Sequence, residues 1–135
     1  MPYKTKSAKF SGTSLKDAGK NARRIYNKVI VNTKRKPFVR SAYFKNEKIF
    51  FDYFWDHLKQ KGPKARFKRL QFFEAAVELI KNSKAAPALD RRSDKNEILY
   101  RFEGIIKNSN EKFYVQIKEN KKNGNKYFMS CFPDQ

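Results

Sequence analysis

The last third of the chain leaves little freedom in how it can fold. From Glu97 to Pro133 it reads EILYRFEGII, KFYVQIKE and KYFMSCFP, and the gaps hold KNSN and NKKNGN. Aromatic and β-branched runs divided by Asn, Ser and Gly predict three strands in an antiparallel meander. Polar residues interrupt the strand interiors at Arg101, Glu103, Gln116, Lys118 and Ser130. Because successive strand side chains take opposite faces, Phe113, Val115 and Ile117 belong to a buried face and Tyr114, Gln116 and Lys118 to the other. A four-residue KNSN turn pairs Arg101 with Gln116 and Glu103 with Tyr114. The second turn has two solutions. A three-residue turn over Asn123 to Asn125 sets Lys118 opposite Ser130, whereas a two-residue Asn123-Gly124 turn sets it opposite Met129 and sends Ser130 to the far face.

Charge selects the class of partner. Thirty-two Lys and Arg against 13 Asp and Glu give +19 over 135 residues. Such a field collects polyanions, nucleic acid first; an acidic protein or an anionic membrane answers the same field, and an uncharged small molecule suits it poorly. The length is that of one domain, or one domain with an arm. No stretch reaches the roughly 20 apolar residues of a membrane span, and the start, MPYKTKSAKF, lacks the apolar run of a signal peptide, so a cytoplasmic location is expected. Cys131 is the only cysteine, which excludes an intramolecular disulfide.

The first 40 residues hold 12 basic residues and one acid, so 1–40 is expected to be a basic arm and 41–135 the folded domain. Met1 to Thr13 is polar and expected to be mobile. Leu15, Ala18, Ala22, Ile25, Tyr26 and Val29 recur at helical spacing, although YNKVIVN suits a strand as well. PFVRSAYFKNEKIFF offers an edge strand. DYFWDHLKQ predicts a helix over Asp52 to Gln60, and Pro63 opens a second, carried to Ser83 by the stripe Phe67, Leu70, Phe73, Val77 and Ile80. Lys84 to Asn96 reads as a loop. The expected architecture is therefore α+β, with two or three N-terminal helices packed on a three- to four-stranded antiparallel meander.

His57 is the only histidine, and histidine is the natural general acid or base near neutral pH. Trp55 and most of the scattered Tyr and Phe residues are assigned to the core, while any that lie on a basic surface suit stacking on an unpaired base. One His and one Cys make no zinc set, and no Gly-rich phosphate loop, nucleophile elbow or carboxylate cluster is present. No metal or other cofactor is expected. A solvated sheet face explains Arg101, Gln116 and Lys118 taken singly; together, beside so much positive charge, they suit phosphate.

The order of DYFWDHLKQ, ARFKRLQFFEAAVELIKNS, LYRFEGI, FYVQIKE and YFMSCFP resembles the phage-associated branch of the barnase, EndoU, colicin and RelE ribonuclease fold, over about Phe50 to Pro133. The resemblance implies metal-independent RNA cleavage by a phage-borne or toxin-like nuclease, with RNA, tRNA or rRNA among the candidates, as substrate and an acidic antitoxin or immunity protein as partner. It implies catalytic roles for His57, as acid or base, for Arg101 and Lys118 on phosphate, and for Ser130 as a hydrogen-bonding group. Arg66, Arg69, Arg91, Arg92 and Gln116 are the nucleic-acid-binding candidates. The rival readings are a non-catalytic nucleic-acid or ribosome-binding protein and a structural protein of a phage or mobile element.

Overall fold

In the computed structural model, which describes residues 2–93 and 96–134 with 92 and 93 as backbone alone, the three C-terminal runs form β5 (Glu97–Ile105), β6 (Lys112–Asn120) and β7 (Lys126–Pro133). Phe102, Phe113, Val115, Ile117, Phe128 and Cys131 turn to one side and are buried, as the period-two alternation dictates.

The meander is the centre of a larger sheet. β1 (Tyr3–Lys4) and β4 (Leu89–Ser93) both pair with the outer edge of β5, β1 parallel and β4 antiparallel. On the other side β3 (Glu47–Phe50) pairs parallel with β7, and β2 (Phe38–Ser41) pairs with β3. The strand order is β1-β5-β6-β7-β3-β2 in a mixed seven-stranded sheet. This corrects the expected three- to four-stranded antiparallel meander. The additional strands are two to five residues long and are held by long-range pairing, which local propensity does not encode.

Among the described residues four helices accompany the sheet: α1 (Leu15–Val31), α2 (Asp52–Lys59), α3 (Pro63–Gln71) and α4 (Phe73–Asn82). Phe73, Ala75, Ala76, Val77, Leu79 and Ile80 are all buried on α4, the mark of a helix enclosed on most sides. It packs on β2, and Leu79 also lies against Gly104 of β5, so the sheet wraps round it from both ends. The single helix expected from Pro63 to Ser83 is broken at Phe72. There the Gln71 carbonyl accepts from Phe10 N (2.9 Å) and Gln71 Nε2 donates to Phe10 O (3.2 Å). The Phe72 ring stacks on Phe113, centroids 5.4 Å apart.

The N-terminal 40 residues are part of this body, not an arm beside it. Ser14 caps α1 by accepting from Asp17 N (3.0 Å), and Ala18, Ala22, Ile25 and Val29 are buried in the common core. Two alanines let α1 approach α3 closely. Ahead of it, the Glu78 carboxylate accepts from Tyr3 Oη, Lys6 N, Ser7 N and Ser7 Oγ at 2.6 to 2.8 Å. Burial disfavours the ionised Glu78, but these bonds outweigh it and hold the carboxyl below its ordinary range. Burial and the same contact push Tyr3 up to about 12.

Candidate nucleic-acid interface

The side of the sheet turned away from α4 carries the polar strand residues. Its rows follow from the register. One runs Phe38, Phe50, Tyr127, Lys118, Leu99 and Arg91 across six strands. The next runs Leu89, Arg101, Gln116 and Ser130, and a third holds Glu103, Tyr114 and Phe132. Aromatic rings therefore stand beside cations along much of this open face. Phe38 and Phe50 are 6.1 Å apart, Phe50 and Tyr127 6.0 Å, and Tyr114 and Phe132 5.6 Å. The outer edge of β7 pairs with β3 only at Lys126 and Tyr127; beyond that, α2 and α3 flank the strand. From this edge Tyr53 of α2 reaches Tyr127 (4.7 Å), and Arg69 of α3 reaches the Phe132 ring (5.8 Å).

The β5–β6 register is the expected one, with Arg101 opposite Gln116 and Glu103 opposite Tyr114. The β6–β7 register is neither of the two expected. Lys118 lies opposite Tyr127, and Ser130 lies opposite Gln116. The turn is longer than either solution: Asn120 N donates to Asn125 O, and the Asn120 and Asn123 side chains accept from Lys122 N and Asn125 N. A bulge beside Gln116 and Ile117 then absorbs Met129, which is buried, and returns Ser130 to the open face. Arg101, Gln116 and Ser130 are thus brought into one row, and Lys118 stands a row away from Ser130.

His57 lies one helical turn after Tyr53, on the same face of α2. Its side chain has no hydrogen-bond partner among the described residues. Arg66 does not share the Phe132 contact of Arg69; it lines a separate cleft between helices. Arg91 joins the open face through Leu99. Arg92 pairs with Ile98 in the ladder, and its side chain lies outside the described residues.

Arg101 is the most committed cation of the face. Its guanidinium is 5.6 Å from the Tyr114 ring and 5.5 Å from that of Phe132, within cation–π range. Its Nε is buried and has no partner among the described residues, and no ion pair among them neutralises it. A buried N–H donor of a cation with no acceptor is unfavourable unless a ligand supplies one. Lys118, by contrast, is 3.2 Å from Glu97 and 4.6 Å from the Tyr53 ring. Burial first, and then the bond donated to Asp134, raise the Tyr114 phenol.

Cys131 faces the core and donates to Arg69 O (3.3 Å). Burial pushes its thiol far up, against a partial counter-effect of Arg69, so it lacks the exposed, electropositive setting of a reactive cysteine. Among the described residues no three His, Cys, Asp or Glu side chains gather so as to hold a metal ion, and no helix is long and apolar enough to cross a membrane.

No protein-family model, curated protein or solved structure matches this chain. Its chemistry rests on its own residues. Sequence reasoning missed Phe50, Tyr127 and Phe132, because a strand aromatic at an open-face position has the same local pattern as one in the core, and it missed Tyr53 because nothing local shows that this face of α2 flanks β7. The strand parity that placed Gln116 and Lys118 would have found Phe132, two residues from Ser130.

Proposed function

We propose that this chain binds single-stranded RNA on the open sheet face and cleaves its backbone without a metal ion. The observation that supports the reading best is the interleaving of aromatic rings with cations there, centred on Arg101, which lies between Tyr114 and Phe132 and is in no ion pair among the described residues. Unpaired bases stack on exposed rings for about 1–3 kcal/mol each, and guanidinium forks hold the intervening phosphates. An uncharged ligand uses only half of such a surface. In the cleavage step the 2′-oxygen bonds to phosphorus as the P–O5′ bond breaks, giving a 2′,3′-cyclic phosphate and a 5′-hydroxyl. One group must take the 2′-hydroxyl proton and another must protonate the leaving oxygen. His57 gives the proton to the leaving oxygen. Arg101, with Ser130 and Gln116 in its row, offsets the charge that develops on phosphorus.

The test is incubation with single-stranded RNA in excess chelator, reading cyclic phosphate ends. Wild type should produce them, and His57→Ala and Arg101→Ala should lose them. Intact RNA at protein excess would overturn the cleavage. A second reading, binding without cleavage, is favoured by two observations: Lys118 is already paired with Glu97, and the His57 side chain makes no hydrogen bond among the described residues. It predicts salt-dependent binding that His57→Ala leaves unchanged.

A further inference from the structure

On the helical side of the molecule, a cleft of about 750 Å³ opens between α1, α2 and α3. Lys16, Lys20, Arg23, Arg24, Lys59 and Arg66 line it, and no acidic residue does. None of the six forms an ion pair among the described residues, whereas lysines elsewhere, at 9, 36, 112, 118 and 126, do. The four from α1 recur at steps of four, three and one, on the side away from its buried Ala18, Ala22, Ile25 and Val29. They extend along about 12 Å of helix, the length of roughly three phosphates of a stacked strand. The floor is apolar, with Trp55, Leu58 and Leu70, and the Arg23 guanidinium lies 4.8 Å from the Trp55 ring. The Arg66 Nε is buried with no partner among the described residues. A row of cations with no ion pair among the described residues, over an apolar floor that holds Trp55, and with a buried donor that has no acceptor among those residues, suits a chain of anions with flat apolar groups.

We propose that this groove is a second RNA-binding site, distinct from the open sheet face, that takes the sugar–phosphate backbone of a segment flanking the one on the sheet. The inference rests on the reading of the chain as an RNA-binding protein, and it requires no cleavage. α3 links the two surfaces: Arg66 lines the groove, and Arg69, one turn on, touches Phe132 at the sheet.

Trp55 is the only tryptophan in the chain, so its emission reports on this groove. The full chain is titrated with a short oligouridylate between about 50 and 200 mM salt. A saturable change in Trp55 emission is expected. The triple variant Lys16→Ala, Lys20→Ala, Arg24→Ala alters exposed positions only, and its circular dichroism should match wild type. It should bind at least about tenfold more weakly at low salt, with the salt slope reduced by about 2, at about 0.7 per lost phosphate contact. Arg101→Ala should keep the Trp55 response. A silent Trp55, an unchanged slope in the triple variant, or a response that disappears in Arg101→Ala would each overturn the second site. Equal displacement of the RNA by polyglutamate at matched charge would overturn it in favour of an acidic protein. A Trp55 response that persists where no RNA is cleaved leaves the groove standing and removes only the cleavage.

Discussion

Gly104 on β5 is directly opposite Phe113 on β6, and the benzene ring occupies the space where a side chain would be. A Cβ at residue 104 would come within 2.4 and 2.5 Å of two Phe113 ring carbons and within 2.9 Å of Leu79 Cδ1. Carbon contacts are comfortable at about 3.5–4.0 Å, so the overlap is roughly 1 Å. Neither neighbour can yield cheaply: Phe113 is wholly buried and stacked on Phe72, and Leu79 is buried on α4. Overpacking of this kind costs about 1–3 kcal/mol, from which a methyl group in a strand recovers about 0.5–1 kcal/mol of backbone entropy. Because neither neighbour yields, the overpacking cost lies in the upper half of its range, and Gly104→Ala should lose about 1–2 kcal/mol net, or roughly 3–10 °C in Tm for a chain of this length, read by thermal and urea denaturation. In a Phe113→Leu background the same change should cost little, because the ring is gone. An unchanged or raised Tm for Gly104→Ala, or the same cost in both backgrounds, would refute the packing described beneath the open face.

Two further outcomes follow from groups away from the interface. Glu78 titrates below its ordinary range, so its stabilisation is fully present above the ordinary carboxylate pKa and is lost as pH falls through the lowered folded value. Glu78→Gln should cost about 1–2 kcal/mol at neutral pH and flatten the acid limb of a urea-stability profile, and an unaltered limb would contradict the clamp on the N-terminal segment. Cys131 should resist thiol reagents in the native protein and react at the rate of unfolding, since it is wholly buried and burial raises its thiol pKa; rapid native labelling would contradict its place in the core.

The parts of the fold that were legible are those set by local geometry. Strand alternation and the KNSN turn were enough for the β5–β6 ladder and its facing of Arg101 and Gln116. The stripe from Leu15 to Val29 pointed to α1, but left YNKVIVN open between helix and strand; it is helical through Val31. What escaped depends on partners far along the chain. Leu89–Ser93 reads LDRRS, with no β-branched residue, and becomes a strand only because the edge of β5 is there to pair with. The break at Phe72 is invisible in a stripe that runs unbroken from Phe67 to Ile80; it is set by Phe10 bonding Gln71. The site followed the same division. Gln116 and Lys118 came from parity, whereas Ser130 needed the bulge at Met129 and Tyr53 needed the edge of β7 left open by a two-residue β3–β7 pairing. The basic side of α1 was readable as charge, but nothing local placed Trp55 and Arg66 across from it.

The most direct test of the open face is photo-crosslinking with a 4-thiouridine-substituted single-stranded RNA, followed by peptide mapping. Crosslinks should fall on Tyr53, Tyr114, Tyr127 and Phe132, and Arg101→Ala should reduce their yield. RNA bound to saturation with no crosslink on α2 or on the strands β5 to β7 would contradict the assignment of this face.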